Sequence, residues 1–186
     1  INFLILKKEN SQLLVVDIQE KLVSVMYESE KLIKNSLVLI ESANELDLPI
    51  IFSTQYPKGL GNLHPGIIDF TSGNDVFEKN SFSCSEDNKI NDSVSHKVNL
   101  GYSQLIIFGI ELHVCVLQSA LEFKQKGFEV HVVVDATSSR KKESIDFAVT
   151  RLVANDINIV TTEMVIFEWL KYSGTEKFKK LSRLVK

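Results

Sequence analysis

Short segments rich in apolar, often β-branched residues alternate along this chain with stretches in which apolar residues recur every three or four positions. Leu13–Val16, Pro49–Ser53, Val76–Lys79, Leu105–Phe108, Phe128–Val134 and Ile157–Val160 belong to the first kind. Runs of this length, rich in β-branched residues, predict strands covered on both faces. The second kind begins with Leu32, Ile33, Leu37, Ile40, Ala43 and Leu46, and recurs near Asp87–Leu100 and over Val114–Phe123, Lys142–Ala154 and Thr162–Lys171. Spacing of that sort predicts amphipathic helices, the one at Asp87–Leu100 carrying the weakest pattern. Thr54–Asn74 fits neither rhythm: it is rich in Pro, Gly and Asn and reads as a long loop. A loop of that length inside a compact domain is usually functional.

Strands alternating with helices imply an α/β fold, a mainly parallel sheet between two helical layers, wound as one doubly wound domain over residues 1–186. In such sheets the ligand site lies beyond the carboxyl ends of the strands, where the winding reverses. Polar residues at those ends therefore count for more than polar residues elsewhere. The first strand ends in Asp17, the third in Lys79, and the fourth leads through Gly109 to Cys115.

Composition changes the picture mainly by exclusion. A formal charge of −3 with no basic block in the body of the chain gives no sign of a nucleic-acid partner. The locally basic Lys177–Lys186 stretch carries Phe178, Leu181 and Leu184 at three-residue intervals and predicts an amphipathic terminal helix. Two cysteines without CxxC or Cys/His spacing make neither a disulfide framework nor a metal site. They fit a reducing, cytoplasmic setting, with organellar import left open because the chain starts at Ile1. No apolar run reaches the length of a membrane span.

Cys115 is expected at the first turn of a helix, where unpaired N–H groups and the helix dipole favour an anion. A thiol there is biased toward thiolate, the nucleophilic form, and a nearby Lys79 ammonium would add to the bias. Asp17 would serve as the base that takes the thiol proton. The blander reading is a structural cysteine packed between two valines. His113 stands too close in sequence for a simple Cys/His dyad and is read as a supporting or interfacial residue. Cys84 lies in a polar stretch and is read as incidental or part of a pocket wall. His64, His96 and His131 share no ligand spacing.

Three segments together resemble a known family: Leu13–Gln19, Glu78–Ser83 and Gly109–Ala120 look like the signatures of the isochorismatase-like cysteine hydrolases. Thr54–Gly61, Val130–Arg140 and Thr161–Leu170 extend the resemblance to the isochorismatase-domain subgroup of unassigned substrate, over nearly the whole chain. The resemblance implies a six-stranded sheet of order 3-2-1-4-5-6 and a catalytic triad of Asp17, Lys79 and Cys115. It also implies a non-proline cis peptide at Ile110–Glu111, with the backbone N–H groups of Glu111 and Cys115 as oxyanion hole. By the same resemblance Gln19, Gln55, Tyr56, Phe82 and Leu112 support the triad or line the substrate pocket. Nicotinamidases of this superfamily hold a metal with an Asp and two His after the second strand; this chain has Gln55-Tyr56-Pro57 there, so neither metal nor other cofactor is expected. Leu112 stands where many relatives have Thr.

The expectation is thus a hydrolase that turns a cysteine on a small amide, carbamoyl or related C–N substrate through a covalent intermediate. A homo-oligomer, dimer or tetramer, is expected, with Phe167, Trp169 and Tyr172 in subunit contact or packed within the monomer. Two alternatives stand beside it: a non-catalytic scaffold or partner-binding protein of the same fold, and a thiol-dependent redox or nuclease activity.

Overall fold

The structure is a computed structural model that describes residues 5–185. Among these residues, strands β1 (Ser11–Val16), β2 (Ile50–Gln55), β3 (Asp75–Lys79), β4 (Gln104–Ile110), β5 (Glu129–Ser138) and β6 (Asn158–Val160) form one sheet, in the order β3-β2-β1-β4-β5-β6. Every pairing between neighbours is parallel. The helices are α1 (Glu20–Val23), α2 (Ser29–Glu45), α3 (Pro57–Leu60), α4 (Pro65–Ile68), α5 (Asn88–Asn99), α6 (Leu117–Gln125), α7 (Lys142–Val153), α8 (Thr162–Leu170) and α9 (Glu176–Leu181).

Strand alternation divides the core into two layers. Leu13 and Val15 point to one face, with Leu39 and Ile40 of α2 and Val165, Ile166 and Trp169 of α8. Leu14 and Val16 point to the other, with Ile90 and Val94 of α5, Ala120 and Phe123 of α6, and Ala148 and Leu152 of α7. Both faces are covered, so every residue of β1 is buried and its apolar run is unbroken.

The expected strands are all present, but they differ at their carboxyl ends. β2 takes in Thr54 and Gln55, β4 runs past Gly109 to Ile110, and β5 continues to Ser138. Most of these added residues are polar or glycine and give little apolar signal, Ile110 and Ala136 excepted; pairing of Gln55 with Lys79 and of Ile110 with Ser138 keeps them in the sheet. The long stretch after β2 is not plain loop, since it contains α3 and α4, each begun by a proline. Asp87 caps α5, its carboxylate accepting from the N–H groups of Lys89 and Ile90.

One expectation at the carboxyl terminus needs correction. The terminal helix ends at Leu181, short of the Lys177–Lys186 stretch, whose last residue lies outside the described residues; Leu181 is buried and Leu184 packs on the same core. Of the two readings of Trp169, packing within the monomer holds: it is 2% exposed and its indole N–H donates to Ser11 Oγ at 2.9 Å. Phe167 packs edge-on against Phe178, with ring centroids 6.1 Å apart. Tyr172 is exposed.

Candidate active site

The order β3-β2-β1-β4 brings the ends carrying Lys79 and Asp17, and the chain leading to Cys115, to one edge of the sheet. Gly109 makes that convergence possible. It has φ +123, and a Cβ on it would lie 2.1 Å from the Val16 carbonyl oxygen. Only glycine lets β4 come so close to the end of β1. Asp17 itself turns out of the strand at φ 50. Its N–H donates to the Ser53 carbonyl at 3.1 Å, and its own carbonyl accepts from Gln19 N–H at 2.7 Å.

The Asp17 carboxylate is shared between two donors. Lys79 Nζ donates to Oδ2 at 2.8 Å, and Ser53 Oγ donates to Oδ1 at 2.8 Å. Neither charged side chain reaches solvent. Lys79 Nζ also meets Gln55 Oε1 at 2.7 Å and the carbonyls of Ser81 and Phe82 at 3.1 and 3.0 Å. Burial alone would lower the Lys79 pKa, but the Asp17 carboxylate opposes it and the net shift holds the ammonium above its ordinary range. The amine is a cation at any physiological pH.

Cys115 lies in a π-helical turn, Leu112–Val116, which precedes α6. Such turns often mark functional sites. The residue keeps 7% of its surface exposed. The expected bias toward thiolate is not found. Burial pushes the thiol pKa up, Asp17 raises it further by charge and by hydrogen bonding, and Lys79 only partly opposes them. Burial is the larger cause and the Asp17 carboxylate adds to it, so the shift runs toward the protonated thiol.

Cys84 is also not where its polar sequence context suggested. It is fully buried beneath the site, in a 3-10 turn (Cys84–Glu86). Its Sγ–H donates to Ser53 Oγ at 3.6 Å, and its N–H donates to Ser119 Oγ at 2.8 Å, which in turn donates to the Cys115 carbonyl at 2.6 Å. Burial raises its pKa to about 11. Ser53, Cys84 and Ser119 thus form an under-layer joining Asp17 to the Cys115 turn. Nothing in the sequence singled out Ser53, which hides in a strand; Ser119 stood out only by resemblance, as a position where many relatives have Thr.

The remaining expected residues divide clearly. Gln19 is buried and works as a strut: its amide NH2 donates to the carbonyls of Gln55 (3.1 Å) and Gly61 (2.7 Å), and its Oε1 accepts from Gln55 N–H at 2.8 Å. Gln55 reaches Lys79 with its oxygen and the Asn80 carbonyl with its nitrogen, at 2.9 Å. Tyr56 and Phe82 expose their rings. Leu112 does not line an open pocket; it is fully buried in the core beneath the π turn. The Ile110–Glu111 peptide is cis. Glu111 accepts from Arg140 Nε at 3.0 Å, and His113 Nδ1 lies 2.8 Å from Ser139 Oγ, so His113 faces the end of β5. His64 caps α4. Among the described residues no group of three His, Cys, Asp or Glu side chains is placed to hold a metal ion.

The chain matches the isochorismatase domain family over residues 11–164. It is similar to isochorismatase family protein 1B of Dictyostelium discoideum, with 33% identity over 181 residues, 96% of this chain and 87% of that one. Among solved structures, the MAR1 ribonuclease from Caenorhabditis elegans is 34% identical with a TM-score of 0.89, covering 97% of this chain and 91% of that one. The YcaC gene product of Escherichia coli, described as an octameric hydrolase of unknown specificity, is 25% identical with a TM-score of 0.91, covering 99% and 92%.

Proposed function

The chain belongs to the isochorismatase family, and from that premise we propose that it is a hydrolase whose Cys115 thiol attacks the carbonyl carbon of a small amide, carbamoyl or related C–N substrate. The observation that carries this reading is the fully buried Lys79–Asp17 ion pair acting on the same thiol. Burying two charges costs several kcal/mol, about what a purely apolar strand end would avoid. An arrangement of that kind is a frequent mark of a working site.

The resting thiol is neutral, so attack and proton transfer go together. As Cys115 Sγ bonds to the carbonyl carbon, its proton passes to the Asp17 carboxylate. The N–H groups of Glu111 and Cys115 receive the oxyanion. On collapse the C–N bond breaks and the Asp17 proton leaves with the departing nitrogen. Water then adds to the thioester, Asp17 takes its proton, and the sulfur departs and is reprotonated. Lys79 stays an ammonium throughout, orienting Asp17 and keeping its charge compensated.

The test is a panel of small amides and carbamoyl compounds, followed by acid quench and peptide mass measurement. An acyl adduct on Cys115 with release of amine or ammonia is expected, absent in Cys115→Ala. Release that persists undiminished in Cys115→Ala would sink the nucleophile assignment.

A second reading, RNA cleavage, is favoured by the likeness to the Caenorhabditis elegans MAR1 ribonuclease, 34% identical with a TM-score of 0.89. Incubation with mixed-sequence RNA decides it: cleavage that vanishes in Cys115→Ala would replace the amide reading. The octameric neighbour supports a homo-oligomer in this protein as well. The two unbridged thiols support a reducing, cytoplasmic compartment.

A further inference from the structure

The end of β5 meets the chain that leads to Cys115 residue against residue. Ser138 is the register partner of Ile110. Ser139 is fully buried; its Oγ accepts from His113 N–H at 3.4 Å and lies 2.8 Å from His113 Nδ1. Arg140 closes on Glu111 twice: its backbone N–H and its Nε both donate to Glu111 Oε2, at 3.2 and 3.0 Å. The strand end is itself held from behind. Ser138 Oγ donates to the Tyr27 carbonyl, and Tyr27 N–H donates to the Ser139 carbonyl at 2.9 Å.

Glu111 is therefore tied at two places. Arg140 holds its carboxylate, and its carbonyl accepts from the N–H groups of Val114 and Val116 at 3.1 and 3.2 Å, bonds that begin the π turn carrying Cys115. Stability does not account for the ion pair. The Arg140 side chain is 61% exposed, and a pair with one partner so open to water contributes little. Two charge-assisted bonds to one carboxylate do supply direction. A residue tethered at side chain and carbonyl has little freedom to swing its N–H, and an oxyanion donor works best when aimed in advance.

We propose that Arg140 is a positioning residue for the oxyanion hole: acting through the Glu111 carboxylate, with Ser139 steadying His113, it fixes the direction of the Glu111 N–H. This rests on the cysteine reading given above and adds to it the device that aims one of the two oxyanion donors.

The experiment compares two reagents that attach to the same sulfur at pH 9, with the labelled residue located by peptide mass measurement. p-Nitrophenyl acetate acylates it: the S–C bond forms as the thiol proton passes to Asp17, the acetyl oxygen carries negative charge, and the C–O bond then breaks to release p-nitrophenolate. Iodoacetamide alkylates it with loss of iodide and a proton, and no oxygen becomes charged. In Arg140→Leu the acylation-to-alkylation ratio of rate constants falls about three- to tenfold, while the alkylation rate stays as it was. In Glu111→Ala, which loses both bonds from Arg140, the ratio falls about ten- to a hundredfold. Glu111→Gln keeps an acceptor oxygen and retains most of the ratio. A ratio unchanged in Arg140→Leu and Glu111→Ala, whether the two rates hold or fall together, overturns the positioning role and leaves the cysteine reading standing. Absence of labelling at Cys115 by either reagent in the unmodified protein overturns both.

Discussion

The two edges of the sheet bury polar side chains equally deeply and use them in opposite ways. At the amino edge Gln12 and Gln104 are fully buried, and most of their partners are main-chain groups. Gln12 donates to the Tyr102 carbonyl at 2.7 Å, while Gln104 accepts from Lys7 N–H at 2.8 Å and donates to Glu129 at 2.9 Å. His131, beside Glu129, has its pKa lowered by burial. At the carboxyl edge Asp17, Ser53, Gln55 and Lys79 bond chiefly to one another, side chain to side chain, around a buried ion pair. Polar groups that close off backbone donors and acceptors stabilise a fold. Polar groups that position charges against each other, next to a thiol, are arranged for chemistry.

The sharpest way to break this contrast is Asp17→Asn. Hydrolysis should fall about 10²- to 10⁴-fold, the usual loss for a general base. Alkylation of Cys115 by iodoacetamide at pH 8 should become faster, because Asp17 is among the groups raising that thiol. Turnover and alkylation moving in the same direction would contradict the assignment.

Next in size is Lys79→Met, which leaves the Asp17 carboxylate buried without a cation. A loss of about 3–5 kcal/mol in urea denaturation is expected, partly restored in the Lys79→Met/Asp17→Asn double variant. Restoration to no degree would mean the two charges are not coupled in the folded protein.

Cys84→Val sharpens the comparison through pH. The Cys84 thiol is held at about 11 against an ordinary value of 9.0. The folded chain therefore keeps a proton that the unfolded chain loses, and this contribution is present below pH 9.0 and lost as pH rises to about 11. Relative to Cys84→Val, the unmodified protein should lose about 3 kcal/mol across that interval. Parallel stability curves at pH 8, 9.5 and 11 would rule this out.

The smallest effect is expected at the other edge. Gln104→Leu removes a partner from Lys7 N–H and from Glu129, and should cost about 1–3 kcal/mol of stability. Activity per folded molecule should not change. A drop in activity at constant folded fraction would show that the amino edge is not merely structural.

Two residues of the proposed triad, Asp17 and Lys79, are legible as strand-end residues, and Cys115 as the start of the helical pattern after the fourth apolar run. Ser53 gave no signal, since a lone serine inside a run such as Ile50–Ser53 reads as strand. Cys84 was misplaced because its neighbours Ser83, Ser85 and Glu86 are polar, yet Ser83 and Ser85 are themselves buried as the turn folds under the site. Leu112, expected by resemblance at the triad or the pocket wall, instead fills the core behind the π turn with its apolar side chain. Local sequence does not tell which way a residue near a turn will point.

By itself the sequence determined the layers, the strand count and the edge at which Asp17, Lys79 and Cys115 would gather, because alternation of apolar runs with helical stripes and the rules of parallel winding act along the chain. The tertiary structure alone decided what surrounds the thiol at that edge. Whether a thiol is biased toward ionisation depends on what solvates it and which charges lie nearby, and here the Asp17 carboxylate, just beyond β1, acts on Cys115 across a separation of nearly a hundred residues. Helix position favours a thiolate; burial and Asp17 shift the group the other way.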